Sequence, residues 1–511
     1  MGTSQVYDEQ LVPSGKSNAR YIMIETIRPK LELLSVEFIE KIMEEAFIIL
    51  ENTGIFVENT EALTLLSDAG MRIDDSLQRV FLTREMVEKC LATTPKVVKL
   101  YDRSGEMEYL VGEDNVHFNP GSAATAILDH KNQMQRNATT EDLVKFVRLT
   151  DCLEHLNFQS TGLISGDIEG IISDSYRLYI GLQYSSKPIV TGTFRVEGFK
   201  PMFDMLVAVR GSEEDLAAKP LAILDACPSP PLKWSNLTTQ SLIDCARAGI
   251  PSELISMGMT GATSPVTLAG TLVQHVAETL CGLVICQLAK KGSPVIFGGS
   301  PSSFDMRKGT TPMGAIETMM IDSAYAQIAK YLNLPTHAYM GLSDSKINDS
   351  QAGLETGTGA ILAALSGINV ISGPGMLNFE SSQSLEKLII DNEICSMAYR
   401  LIQGISCREL PLIQDLFENF TRDTEFLTKD HTLKWYQKEH TYPLIIDRNT
   451  YDTWVGLGKK SIATRASEEV ERLLDANPPN LPDSGLRKEL EDIMLADAKA
   501  NGVHKIPSLP D

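Results

Sequence analysis

From about residue 116 to residue 406, short apolar runs bounded by turn formers alternate with longer segments whose apolar residues recur every three or four positions. The first pattern reads as buried strand, the second as amphipathic helix. The strand candidates are 117–129 in part, 158–163, 188–194, 221–225, 254–261, 294–298, 335–341 and 369–373. Helical patterns follow them, for example over 174–184, 268–290, 313–332 and 352–365. Eight alternating units predict an α/β fold, a closed parallel TIM (β/α)8 barrel over residues 116–406. Its first unit, FNPGSAATAILDHKNQMQ, reads equally as a hairpin lid.

The flanks carry different patterns. Within 1–115, Phe38, Ile39, Ile42, Ala46, Phe47 and Leu50 lie at helical spacing, a second helix is expected over 60–69, and Thr83 caps a third. Short strands are expected near 71–82 and at 97–101. This is a mainly helical N-terminal extension behind a polar lead-in of about 25 residues. Residues 407–511 read as a C-terminal helical extension that ends in a helix from Leu486.

Composition narrows the class. A net charge of -21 offers no basic surplus for neutralising phosphates, which excludes a nucleic-acid binder. The eight cysteines form no CxxC pair, and a reduced cytoplasm is the natural setting. The apolar run 279–289 is shorter than the roughly 20 residues of a membrane span, and the first residues lack the apolar core of a signal peptide. A cytoplasmic protein, neither exported nor membrane-bound, is expected.

The candidate chemistry sits at strand ends, where barrels of this kind build their sites. The stretch 337–353, HAYMGLSDSKINDSQAG, runs from strand into a loop crowded with Asp344, Lys346, Asp349 and Gln351. A plainer account makes Asp349 or Ser350 the cap of the next helix. Alternation puts His337 and Tyr339 on one face, and Asp225 with Cys227 on one face. Glycines at Gly298-Gly299 and at Gly373 and Gly375 mean either a close backbone approach or a tight turn. No HxH, HExxH or Cys/His cluster recommends a metal. A lone histidine on a strand, such as His337, is more often a hydrogen-bonded core residue than a catalyst. Aromatics near strand tops, among them Phe194, Phe297, Tyr339 and Phe379, offer walls for a quaternary ammonium.

Three separated segments carry a resemblance: Ser343-Asp344-Ser345-Lys346 with Asp349 and Gln351-Ala352-Gly353, the opening run from Arg28 to Leu34, and SGPGMLNFE from Ser372 to Glu380. In these the chain resembles the trimethylamine:corrinoid methyltransferase family over nearly its whole length. The resemblance implies a barrel whose top receives a cobalamin-carrying protein, and methyl transfer from an amine to cob(I)alamin. Founding members carry a pyrrolysine, whereas this chain has only standard residues. That departure points to the non-pyrrolysine branch and a quaternary amine: glycine betaine first, with proline betaine, carnitine and butyrobetaine open. A quaternary ammonium leaves as a neutral amine, so no residue is expected to act as general acid or base.

On this reading Phe297, Tyr339 and Phe379 are cage candidates and Asp344 is the carboxylate near the cation. His337 and Arg307 take the substrate's carboxylate. Gly298, Gly299, Gly373 and Gly375 admit the corrin, which travels on a partner corrinoid protein as cob(I)alamin or methylcobalamin. Self-association into a homo-oligomer is expected. Two other classes compete: a non-catalytic module that binds a betaine or a corrinoid protein, and a lyase or aldolase barrel using Lys346 as a Schiff base.

Overall fold

The structure, a computed structural model, describes residues 26–121, 123–418 and 420–509. The polar lead-in expected for the first 25 residues lies outside them. Eight short strands recur between helices: β1 His117–Asn119, β2 Gln159–Ser160, β3 Ile189–Thr191, β4 Ala222–Ala226, β5 Ser252–Ser256, β6 Val295–Gly299, β7 His337–Tyr339 and β8 Val370–Ser372. A helix follows each: α1 Thr140–Cys152, α2 Ser173–Tyr184, α3 Phe199–Arg210, α4 Asn236–Ala248, α5 Leu268–Ala289, α6 Ile316–Tyr331, α7 Ser350–Leu365 and α8 Leu385–Ile402. The strands are shorter than the apolar runs predicted, because pairing stops where the backbone turns out into the loops.

Strands β2 to β6 pair in parallel and in chain order, and β7, β8 and β1 form a second parallel set. Between the sets, Phe297 N–H donates to Pro335 O at 2.8 Å and Phe158 N–H donates to Phe118 O at 3.3 Å. The first unit is both things the sequence allowed. Its start is β1, and Ala126–Asp129 with Met134–Asn137 forms a hairpin in the loop beyond.

Alternation gives the strands one apolar floor. Phe158, Val190, Ile223, Ile296 and Val370 bury against Val98, Leu100 and Val111 of the hairpin Val97–Tyr101/Glu108–Gly112. Each such side chain contributes about 1.5–3 kcal/mol by leaving water. With the floor fixed, period two assigns the next inward positions: Asn119, Ser160, Asp225, Glu253, Gly298, His337, Tyr339 and Ser372.

The opposite strand faces bury against the helices. Helix α5 is, among the described residues, the one long and apolar enough to cross a membrane, yet 89% of its most apolar window is buried inside the molecule. It is clad by α4 and by the N-terminal helices Val36–Ile48, Thr60–Asp68 and Arg84–Leu91. Ser35 and Thr83 cap the first and last of these through their side chains. At the C-terminus, helix Ile462–Ala476 packs on α8 and α1, and Ser484–Ala500 on α2 and α3.

A carboxyl-lined site at the strand ends

Above the floor the interior turns polar. Asp225 and Glu253 lie directly opposite each other on β4 and β5, both inward. Glu253 is wholly buried, and both its oxygens and Asp225 Oδ1 lack a hydrogen-bond partner. Two carboxylates so placed bond to each other only by sharing a proton. Burial accordingly raises Asp225 to about 7 against the lowering effect of that bond and of Arg177, and raises Glu253 well above the carboxylate range.

Arg177 enters from α2. It is 2% exposed, donates from Nε to Ser173 O and from Nη1 to Thr161 O, and holds its guanidinium 4.4 Å from the Phe194 ring centre. His337 packs edge-on to Tyr339, with ring centres 4.9 Å apart. Ser372 Oγ donates to Asn119 Oδ1 and so accepts from His337 Nε2 at 2.9 Å, which leaves Nδ1 without a partner. Burial lowers His337 to about 3, so the ring is neutral. Tyr339 is 6% exposed.

Loop 8 supplies Glu380. Three consecutive residues, Asn378, Phe379 and Glu380, have left-handed φ of 53°, 54° and 64°. Non-glycine residues hold that conformation only where surrounding structure imposes it, at about 1–3 kcal/mol each. Glu380 Oε1 is buried without a partner, and burial, then Asp344 and Asp225, push the group up to about 8. Asp322 of α6 is wholly buried, is raised well above its usual range by burial and then by Glu380, and has the Tyr325 hydroxyl as its one polar neighbour acting the other way.

The residues expected from sequence fall into two sets. His337 and Tyr339 are inside, together with Asp225 and Cys227. Phe297 is not: β6 turns it outward, 0% exposed, against His275 and Tyr325 with ring centres 5.4 and 6.4 Å away. The parity that makes Gly298 inward makes its neighbour face the helices. Arg307 lies on the loop after β6, its side chain 87% exposed and paired with Asp305 at 2.8 Å. Phe379 stacks under Lys346 Nζ at 3.9 Å. Lys346 is exposed, as its loop suggested, and lacks the dry pocket a Schiff-base lysine needs. His337, expected at a substrate carboxylate, is a neutral imidazole rather than a cation.

Asp344 is buried and accepts from Met313 N–H at 3.0 Å and Gly314 N–H at 2.9 Å, pinning the loop that follows β6. Burial raises it to about 6 against those bonds. Asp349 caps α7 through Ala352 N–H, as the plainer account had it. All four glycines are packed by the chain itself. A Cβ on Gly298 would sit 2.9 Å from Ile255 Cδ1 and 3.1 Å from His337 Nδ1, and one on Gly299 3.0 Å from the Tyr325 ring. Gly373, at φ 130°, lies 2.8 Å from the Gly341 backbone by the same measure, and Gly375, at φ 88°, meets Gln383. A side chain at any of the four would meet the chain itself.

Sequence reasoning passed over Arg177, Glu253, Asp322 and Glu380. A signal existed for Glu253, a charge inside the apolar run SELIS that parity from Asp225 could have found. Arg177 and Asp322 sit on helices, where one charge per turn is ordinary.

These acids and a neutral histidine gather at the parallel strand ends, and comparison with known proteins assigns the chain's family. The model of the family described as trimethylamine methyltransferase (MTTB) matches residues 7–501. This chain belongs to that family. It is a methyltransferase. A trimethylamine methyltransferase MttB of Desulfitobacterium hafniense is 32% identical over 84% of this chain and 87% of its own length. A glycine betaine methyltransferase of the same species is 30% identical, covering 93% and 98%. The crystal structure of the Methanosarcina barkeri monomethylamine methyltransferase MtmB superposes with a TM-score of 0.50 over 90% of this chain and 93% of that one. At 12% identity that likeness speaks for the fold alone.

Proposed function

We propose that this methyltransferase moves a methyl group from a methylated amine to the cob(I)alamin of a partner corrinoid protein, with a quaternary amine as donor and glycine betaine as the first candidate. The observation that carries the reading is the inward group of the buried Glu253 and the half-buried Asp225 and Glu380, with Arg177 beside Asp225 and Tyr339 against His337. Such a site attracts a cation, holds it out of water and aligns one of its carbons toward the opening. Arg177 is the group a betaine carboxylate would meet. The D. hafniense glycine betaine enzyme, similar over nearly its whole length, supports the choice of first substrate.

The same reading takes the eight strands as one closed barrel. The hydrogen bonds from Phe297 to Pro335 and from Phe158 to Phe118 support closure on both sides. The mouth carries an exposed apolar rim from the loops after β2, β3, β5 and β6, including Ile171, Phe194, Met257, Val266 and Met306. A rim of this kind fits a protein partner that brings the corrinoid to the mouth. When bound, the corrinoid supplies the nucleophile that accepts the methyl group. A cytoplasmic location and self-association belong to the same proposal.

A second reading rests on the Asp225–Glu253 pair. A carboxyl that keeps its proton near neutral pH is what a tertiary amine would need in order to leave. The test separates the two. Purified protein is mixed with free cob(I)alamin and, in turn, glycine betaine, proline betaine, carnitine and trimethylamine, and methylcobalamin is followed by absorbance. Methylcobalamin with one quaternary amine alone is the expected result. Turnover of trimethylamine alone would establish the second reading, and silence with every amine would overturn both.

A further inference from the structure

The described interior holds more buried negative groups than it has partners for. Six carboxyl oxygens, on Asp225, Glu253, Asp322 and Glu380, are buried with no donor beyond the proton that Asp225 and Glu253 share and the Tyr325 hydroxyl beside Asp322. In most proteins an unpartnered buried oxygen costs about 1–3 kcal/mol, so a group of them marks something that binds there. They come from two strands, one helix and a loop held in a left-handed triplet, so no single element's packing explains the convergence.

The groups facing the pair are Arg177 from α2, Cys227 beyond β4, Tyr325 from α6, His337 from β7 and Glu380, with Tyr339 beside Arg177 and Tyr325, and Asp344 beside Glu380. Arg177 is the cation among them, and its Nε and Nη1 are spent on the carbonyls of Ser173 and Thr161. Protons are what keep the acids from repelling one another.

We propose that Glu380 and the Asp225–Glu253 pair together recognise a methylated ammonium, and that the cation enters in exchange for the proton that the pair shares. This deepens the methyl-donor reading and rests on it for the identity of the cation. The exchange is charge-balanced: one positive charge goes in, one proton leaves to solvent, and no bond to carbon forms or breaks. A quaternary ammonium offers no N–H, so its methyl groups meet the bare oxygens through charge alone, and a protonated pair could not hold it.

The probe is tetramethylammonium chloride, titrated calorimetrically into the full chain in phosphate and in Tris. Displacement of the proton makes the apparent enthalpy differ between buffers, and raises affinity about tenfold from pH 6 to pH 8. Glu253→Gln removes the shared proton and leaves only the shallower dependence that the Glu380 proton imposes, with Asp225→Asn as the second variant should the first fail to fold. Glu380→Gln weakens binding at least tenfold, and Glu380→Asp restores part of it. Buffer-independent enthalpy in the wild type, full pH dependence in Glu253→Gln, unchanged affinity in Glu380→Gln, or no binding at all would each overturn the proposal. Binding with proton release but no methylcobalamin from any amine would instead sink the methyl-transfer reading alone.

Discussion

At the scale of single residues, the site separates side chains by the parity of their strands. Gly298 faces inward and leaves room for the His337 imidazole, whereas Phe297 and Gly299 face the helix layer. Gly298→Ala therefore presses on His337 and Ile255, not on a corrin. The expected outcome is a fall of tenfold or more in kcat/KM for the amine with little change in KM for free cob(I)alamin, at about 1–3 kcal/mol of stability. A selective rise in KM for cob(I)alamin would return Gly298 to the corrin. Asp344 and Asp349, crowded together in sequence, divide their work: one pins a loop backbone, the other caps a helix. The sequence displayed both carboxylates and could not tell these tasks apart, because each depends on which backbone N–H is brought near.

At the scale of elements, α5 is the most constrained. Its period is hidden because nearly every position is apolar and buried, so the sequence gives its length but not its packing face. Gly282 meets the Trp234 indole, whose Nε1–H donates to Glu278 O at 3.0 Å. Glycine costs a helix interior up to about 1 kcal/mol relative to alanine, so on propensity alone Gly282→Ala should stabilise. Against that, the added Cβ runs into a rigid ring in a closed core, which costs about 1–3 kcal/mol. The crowding wins, and denaturant unfolding should show a net loss of about 1–2 kcal/mol. A gain would mean that the indole moves aside freely.

At the scale of the whole molecule, the site opposes the fold. Glu380, raised to about 8, Asp225, raised to about 7, and Glu253, raised well above the carboxylate range by burial, bind protons in the native state that the unfolded chain binds only near pH 4. Where the native state holds more protons, stability falls as pH rises. Lys187 and Lys330, lowered by burial to about 8, act in the opposite sense but are mostly charged below that value. His117, His155, His275 and His337, all lowered by burial, oppose the acids once the unfolded chain's histidines protonate near pH 6.5. With Asp322 and Asp344 also raised, the melting temperature should therefore rise on going from pH 8 to about pH 7 and level off below about 6.5. Glu380→Gln should flatten the alkaline limb. A curve that instead climbs steadily through pH 8, or a variant with the wild-type limb, would remove these acids from the balance.

Period alone was enough, from sequence, to place eight alternating strand and helix units, the helical flanks, the caps at Thr83 and Asp349, and the same-face pairing of His337 with Tyr339 and of Asp225 with Cys227. These are local matters: whether a residue points to one face or the other, and whether a turn can close, depend on neighbours a few positions away. The motifs near Arg28, Ser343 and Ser372 also carried the family. Only the tertiary structure decided which strand face is inside, because that follows from the hairpin of residues 97–112 stopping the far end, more than a hundred residues from β4. It alone joined Arg177, Glu253, Asp322 and Glu380, each unremarkable in its own segment. Burial is a property of everything that surrounds a group, and burial is what turns charged residues that are ordinary in their own segments into one site.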